Sequence, residues 1–331
     1  MIDWYYANLV LVQATLSGLV LALSVQVPLR MGVFSFAGVG SYGIGAYTAA
    51  LLVIHRQMPS LQAIGLAVLL TAVIGLLLGL VIYRLNGLYL AMATVAFDLI
   101  IGVIAINGGT FTGSSTGLYG VLSDFTMPMM FALTLGALLL VVLSEHGKVG
   151  RRVHAVRDDV QLAASAGVNV RRYRLAAFVA SGALGGLAGG MNVMVRSTIG
   201  PLDIGFPLIV LALTMIIVGG AMSWKGAVIG ALIFTWMPTW LAVVGTWQHL
   251  LYGIIVAVAA VLLPRGIHGV FVDITRWIQR RRRAPAAPPP AETQPEPDLE
   301  PLMTGPTSGA QSASPSDKGA SSSTSLLRGK A

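Results

Sequence analysis

Residues 144–174 read SEHGKVGRRVHAVRDDVQLAASAGVNVRRYR, a polar island in a chain that is apolar on both sides of it. Seven basic residues, Lys148, Arg151, Arg152, Arg157, Arg171, Arg172 and Arg174, surround three acids, Glu145, Asp158 and Asp159. Between the basic clusters an Ala-rich run predicts a short helix from about Asp158 to Ala166. Asp158 or Asp159 can cap its start, and Gly167 can close it at a position that tolerates positive φ. A capped polar helix between apolar spans cannot lie in lipid, and its positive charge places it on the cytoplasmic side. There it is a handle for a soluble partner.

The composition sets the class. Of 331 residues 55% are hydrophobic and 10% charged, and the mean hydropathy is +0.79. A soluble domain carries roughly 25% charged residues, so this chain reads as an all-α, polytopic transmembrane helical bundle. The net charge of +8 sits mostly in loops and tail, which is the positive-inside pattern and not a nucleic-acid footprint. Cysteine is absent, which removes disulfide and thiolate chemistry. The start, Met1-Ile2-Asp3-Trp4, lacks a basic leader, so the first apolar run is expected to be a retained span.

Apolar runs of membrane-crossing length predict nine spans, at about 9–27, 33–54, 61–83, 88–106, 126–143, 175–195, 206–222, 226–244 and 249–263. Arg30, Arg84, the 144–174 loop, Lys225 and the run Arg280–Arg283 alternate with loops poor in basic residues, where His55, Arg56 and Arg196 are the exceptions. The expected topology is N-terminus outside and C-terminus inside. The spans form a transmembrane domain over 1–265. A basic juxtamembrane segment follows over 266–283, suited to an anionic inner surface. Residues 284–331 form a Pro/Ser/Ala-rich tail without apolar period, expected to be disordered.

The island also carries a resemblance. The residues Ala155-Val156-Arg157-Asp158-Asp159, Ala163, Gly167-Val168-Asn169, Tyr173-Arg174-Leu175 and Ala177-Phe178 resemble the coupling loop of the membrane subunits of branched-chain amino-acid ABC importers. The general importer motif is Glu-Ala-Ala, three residues, Gly. Here Gln161-Leu162-Ala163, three residues and Gly167 keep its second Ala and its Gly and lose its Glu and first Ala. Phe36, Gly38, Gly43-Ile44-Gly45-Ala46-Tyr47 and Thr48 resemble the same family, and the likeness runs over roughly residues 10–265. It implies coupling of Arg157, Asp158, Asp159, Ala163, Gly167 and Asn169 to cytoplasmic ATPase subunits. It also implies a second permease subunit, giving a heterodimer, an extracytoplasmic solute-binding protein, and a place in the cell membrane as a multi-pass protein. The implied solutes are branched-chain amino acids, urea or short amides.

Three features within the spans leave readings open. Gly38, Gly40, Gly43 and Gly45 in the second span suit either tight helix packing or a broken, re-entrant segment. Asp98, near the centre of the fourth span, is costly in lipid and must face protein or water. It pairs with a neighbouring helix, lines a substrate path together with Gly38, Gly43 and Gly45, or carries a proton. Gly182, Gly186 and Gly190, with Gly185 and Gly189, form a small-xxx-small face for helix packing, or for a sliding gate. The outer loop from Asn107 to Leu118 is turn-rich.

No phosphate-binding Gly-x4-Gly-Lys-Ser/Thr loop occurs, no His pair has metal-ligand spacing, and no catalytic residue or cofactor is expected. The chain is therefore read as a transport subunit and not an enzyme, with ATP hydrolysis by separate subunits. Two rival readings are an ion-coupled secondary transporter using Asp98, and a membrane scaffold without transport.

Overall fold

In a computed structural model, residues 8–262 are described together with Gly266, Ile267 and Gly269. The expectations for residues 263–265, most of 266–283 and all of 284–331 lie outside the described residues. Eleven α-helices are present among the described residues. They are α1 Leu9–Arg30, α2 Ala37–Arg56, α3 Ser60–Ile82, α4 Gly87–Asn107, α5 Met127–Glu145, α6 Gly147–Asp158, α7 Val160–Ser165, α8 Val170–Arg196, α9 Phe206–Gly219, α10 Trp224–Leu241 and α11 Gln248–Leu262.

A helix occupies each of the nine places where a span is expected. Seven segments are long and apolar enough to cross a bilayer: α1 to α5, α8, and Pro201–Gly219, which joins a 3-10 turn to α9. The helices at the eighth and ninth places have 18 and 15 residues. Lys225 and three tryptophans dilute the first of these, and the second is short for a 30 Å hydrocarbon layer.

The bundle is built around α8, which packs against α1, α2 and α3. Glycine makes this possible. A Cβ at Gly185 would collide with the carbonyl of Gly38, and one at Gly189 with the carbonyl of Tyr42, both on α2. On the adjoining side a Cβ at Gly182 would lie 2.5 Å from the Thr71 carbonyl of α3. With no hydrophobic force between helices in lipid, such backbone contact supplies the van der Waals gain. Burial follows this order. Of the spanning stretch of α2, 72% is buried, against 22% for α5, whose Leu135, Leu139 and Leu140 point outward.

The Gly-rich second span is a continuous helix, but it begins at Ala37 rather than at the expected 33. Residues 31–36 are non-helical, and Val33, Ser35 and Phe36 are buried. Buried non-helical backbone needs internal partners. Gly32 and Val33 donate to the carbonyls of Leu29 and Pro28, and Phe36 N–H donates to Thr94 Oγ1 at 3.1 Å. At the other end of the molecule, strands β1 Leu118–Tyr119 and β2 Thr198–Ile199 pair antiparallel. They pin the turn-rich loop after α4 to the end of α8.

Candidate functional site

The polar island folds as two helices and a turn. α6 buries Gly150, Val153 and Val156 at a spacing of three and exposes its basic residues. This helix goes beyond the sequence reading, which placed helix only from Asp158 onward. The expected short helix is α7, six residues long. Its cap is Asp159, not Asp158: Asp159 Oδ1 accepts from Gln161 N–H at 2.8 Å and Leu162 N–H at 3.0 Å, while Asp158 ends α6. At the far end Gly167, at φ +80°, donates to Ala164 O, and Val168 donates to Ala163 O. This bond pair is a Schellman closure. Asn169 then caps α8, accepting from Arg172 N–H at 3.1 Å.

Among the residues expected to couple, Ala163 is buried, and Arg157, Asp158, Asp159, Gly167 and Asn169 are exposed. Leu162, between them, is 68% exposed, and Val160 and Val149 are also exposed. Beside the turn lies a cleft of about 470 Å³, lined among others by Arg152, Asn169, Arg172 and Tyr173.

Both ends of the island are fastened to the bundle. At its start, Glu145 Oε1 takes Arg30 Nη1 of α1 at 3.0 Å and accepts from Trp224 N–H, the first residue of α10, at 2.9 Å. At its end, Arg174 donates to the Tyr83 carbonyl at 3.1 Å, and the Arg171 guanidinium sits 4.9 Å above the Tyr83 ring. Tyr83 follows directly on α3. Its hydroxyl accepts from Arg84 Nε at 3.1 Å, and that bond, with the charge of the same guanidinium, holds the phenol below its ordinary pKa. The island is thus tied to α1, α10 and α3.

Asp98 is 2% exposed, and its Oδ1 accepts from Gly40 N–H at 2.7 Å. With Thr94, one turn earlier on α4, which accepts from Phe36 N–H, it satisfies backbone N–H groups at the start of α2. Gly38 faces Ser24 of α1 and Ser181 of α8, Gly45 faces Gly186 of α8, and Gly43 faces Ile204 and Ile101. None of these three, nor Asp98, lines a cavity that lies between the helices.

One such cavity, about 240 Å³, lies between α1, α8, α9 and α10. Its polar wall includes Ser17, Tyr42, Asn192, Arg196, Asp203 and Thr235; Leu208, Leu211, Met215 and Phe234 supply apolar wall. Arg196 ends α8, 26 residues from Val170, so it sits about 40 Å along the helix from the island. Its Nη1 lies 3.6 Å from Asp203 Oδ1. Asp203 is held independently by Gly200 N–H, which donates to Oδ2 at 2.8 Å. In the sequence Arg196 stands out only as a basic residue on a face poor in them. The signal it offered was its proximity to Asp203, the sole acid between 160 and 272. Among the described residues no cluster of three or more His, Asp or Glu could hold a metal.

Comparison with known proteins agrees with this architecture. The family model described as branched-chain amino acid transport system / permease component matches residues 6–260. The high-affinity branched-chain amino acid transport system permease protein LivM of Escherichia coli is 26% identical over 292 residues, covering 76% of this chain and 68% of that protein. The "Probable branched-chain amino acid transport permease protein LivH" of Methanocaldococcus jannaschii is 31% identical over 264 residues, 70% of this chain and 82% of its own. A fructose import permease protein, FrcC of Rhizobium meliloti, is 30% identical over 165 residues, 47% of this chain and 42% of its own. No solved structure matches the chain.

Proposed function

We infer the function from one premise: the chain belongs to the family of branched-chain amino acid transport system permease components. It is a multi-pass inner-membrane protein and a transport subunit. On that premise we propose that it is one of two membrane subunits of a binding-protein-dependent ABC importer for branched-chain amino acids. A second, similar permease completes the channel, cytoplasmic ATPases drive it, and an extracytoplasmic protein delivers the solute. The chain crosses the bilayer nine times, with its N-terminus outside and its C-terminus inside.

The island carries the mechanism. Leu162 and Val160 are apolar and exposed on a helix whose flanks are too basic to face lipid, so a protein surface is their natural cover. ATPase subunits that close on ATP push α6 and α7. Glu145 transmits the push to Arg30 and Trp224, and Arg171 and Arg174 transmit it to Tyr83. The attached helices then switch the two permeases between outward and inward states.

Asp98 fits this reading better than it fits an ion-coupled transporter. Its carboxylate is engaged by the first turn of α2 and lies away from the cavity. The test is uptake of labelled leucine, urea and acetamide by cells with and without the gene. Loss of leucine uptake alone is the expected result, and unchanged leucine uptake overturns the reading.

A further inference from the structure

We propose that the cavity between α1, α8, α9 and α10 is a transit site for the zwitterion of an aliphatic α-amino acid, with Arg196 taking the carboxylate, Asp203 the ammonium and the apolar wall the side chain. The proposal rests on the import reading above and names the site that reading lacks.

Among the described residues that line the cavity, Arg196 and Asp203 are the ionised side chains. They stand on one edge of it, opposite in charge and adjacent, as the two charged groups of an α-amino acid are. Each is partly open, 58% and 42% exposed. At 3.6 Å their contact is long for a charge-assisted hydrogen bond. An exposed pair of this kind is worth little, so a solute that inserts between the two charges replaces a weak contact with two better ones. Asp203 does not swing away when the pair opens, because Gly200 N–H holds its second oxygen at 2.8 Å.

Asn192 and Ser17 add polar atoms beside the pair. The Ser17 hydroxyl donates back to the Gln13 and Ala14 carbonyls at 3.1 and 3.2 Å, and the one bond that Asn192 Nδ2 makes to it is 3.4 Å long, so the Asn192 amide is the group that can turn to a solute. Leu208, Leu211, Met215 and Phe234 face them across the space, a wall for an aliphatic side chain. A volume of about 240 Å³ falls below the roughly 300–1,000 Å³ of sites for drug-sized ligands and suits a small solute. The position also fits transit, at the end of α8 remote from the island.

Gly18 gives a steric test. It lines the cavity, and a Cβ there would meet Met215 Cε and Thr235 Oγ1 at 3.5 Å, an ordinary contact. Gly18→Ala therefore fits, whereas Gly18→Leu extends into the space the solute needs.

The experiment reconstitutes the whole importer in vesicles with internal ATP and measures labelled L-leucine uptake and ATP hydrolysis stimulated by the loaded binding protein. Arg196→Gln, Asp203→Asn and Gly18→Leu are each expected to lower uptake by about tenfold or more, while hydrolysis stays within about twofold of wild type. If wild type imports leucine and the three variants import it equally well, the proposal is overturned. If uptake and hydrolysis fall in parallel in all three, the residues serve assembly, and the proposal is overturned on that ground. If wild type itself imports no leucine, the import reading has failed and the transit site falls with it.

Discussion

The backbone N–H of Gly40 donates to the carboxylate of Asp98 at 2.7 Å, tying the first turn of α2 to a residue three turns into α4. The arrangement recurs. Of the six acidic residues between positions 8 and 262, five accept a backbone N–H at a helix start. Asp98 serves α2, Asp124 serves α3, Glu145 serves α10, Asp159 serves α7, and Asp203 serves the turn Pro201–Asp203. A helix start presents N–H groups without internal partners and a partial positive charge. Where lipid replaces water, protein must supply the acceptor.

The first prediction separates a cap from a proton carrier at Asp98. Asp98→Asn keeps an acceptor for Gly40 N–H and should retain most uptake. Asp98→Leu leaves that N–H unpaired at a cost of about 1–3 kcal/mol and should lower both thermal stability and uptake. A proton carrier would behave otherwise, since neither replacement titrates. Uptake into ATP-depleted vesicles under an imposed proton gradient should be absent, and gradient-driven uptake abolished by Asp98→Asn would contradict the cap.

The helices were legible in the sequence because bilayer thickness dictates their length: a run such as 88–106 needs only to be counted, and α4 covers Gly87–Asn107. The closure of α7 was legible too, since Asp159 and Gly167 act on backbone within three residues of themselves. The caps from other helices were not. Gly40 and Asp98 are 58 residues apart, Ser60 and Asp124 64, Glu145 and Trp224 79, and nothing local marks the partner. α6 escaped notice because Gly147 and Gly150 lower helix propensity and Val153 and Val156 offer too short an apolar stripe. The cavity escaped because its wall draws on five separate stretches of chain.

A second prediction concerns Glu145. Arg30 is 4% exposed, and Glu145 is its ion-pair partner among the described residues. Glu145→Ala leaves a buried guanidinium uncompensated and should cost about 3–5 kcal/mol. Adding Arg30→Met to Glu145→Ala should recover much of that stability in a thermal melt of the purified protein. Coupling should not recover, because the joint between the island and α1 is gone. An additive double variant would show that the pair does not interact.

A third prediction is a pH dependence at the opposite end. Asp124 Oδ1 accepts from the N–H of Ser60 at 2.9 Å and from its hydroxyl, and these bonds hold the carboxyl below its usual value. A depressed folded-state pKa contributes stability above the unfolded value, near 4, and that contribution disappears as pH falls through the folded value. Wild type should therefore melt above Asp124→Asn at neutral pH, and the gap should close below about pH 4. A gap independent of pH would mean that the hydrogen bonds, and not the charge, carry the effect.

The last prediction returns to the island. Gly167 holds φ at +80° with no atom within 4 Å of an added Cβ, so a substitution meets backbone strain and no clash. Gly167→Ala should cost on the order of 1 kcal/mol from the left-handed conformation alone and leave transport largely intact. Gly167→Arg adds the same strain and places a long cation beside Arg152 and Arg172, the two arginines that line the cleft there. If that surface receives the ATPase, Arg should abolish uptake where Ala does not, with equal amounts of chain in the membrane and ATP hydrolysis no longer stimulated by the loaded binding protein. Deletion of 158–167 removes α7 and should give the same uncoupled state. Wild-type uptake from either change at equal expression would remove the coupling role from the island.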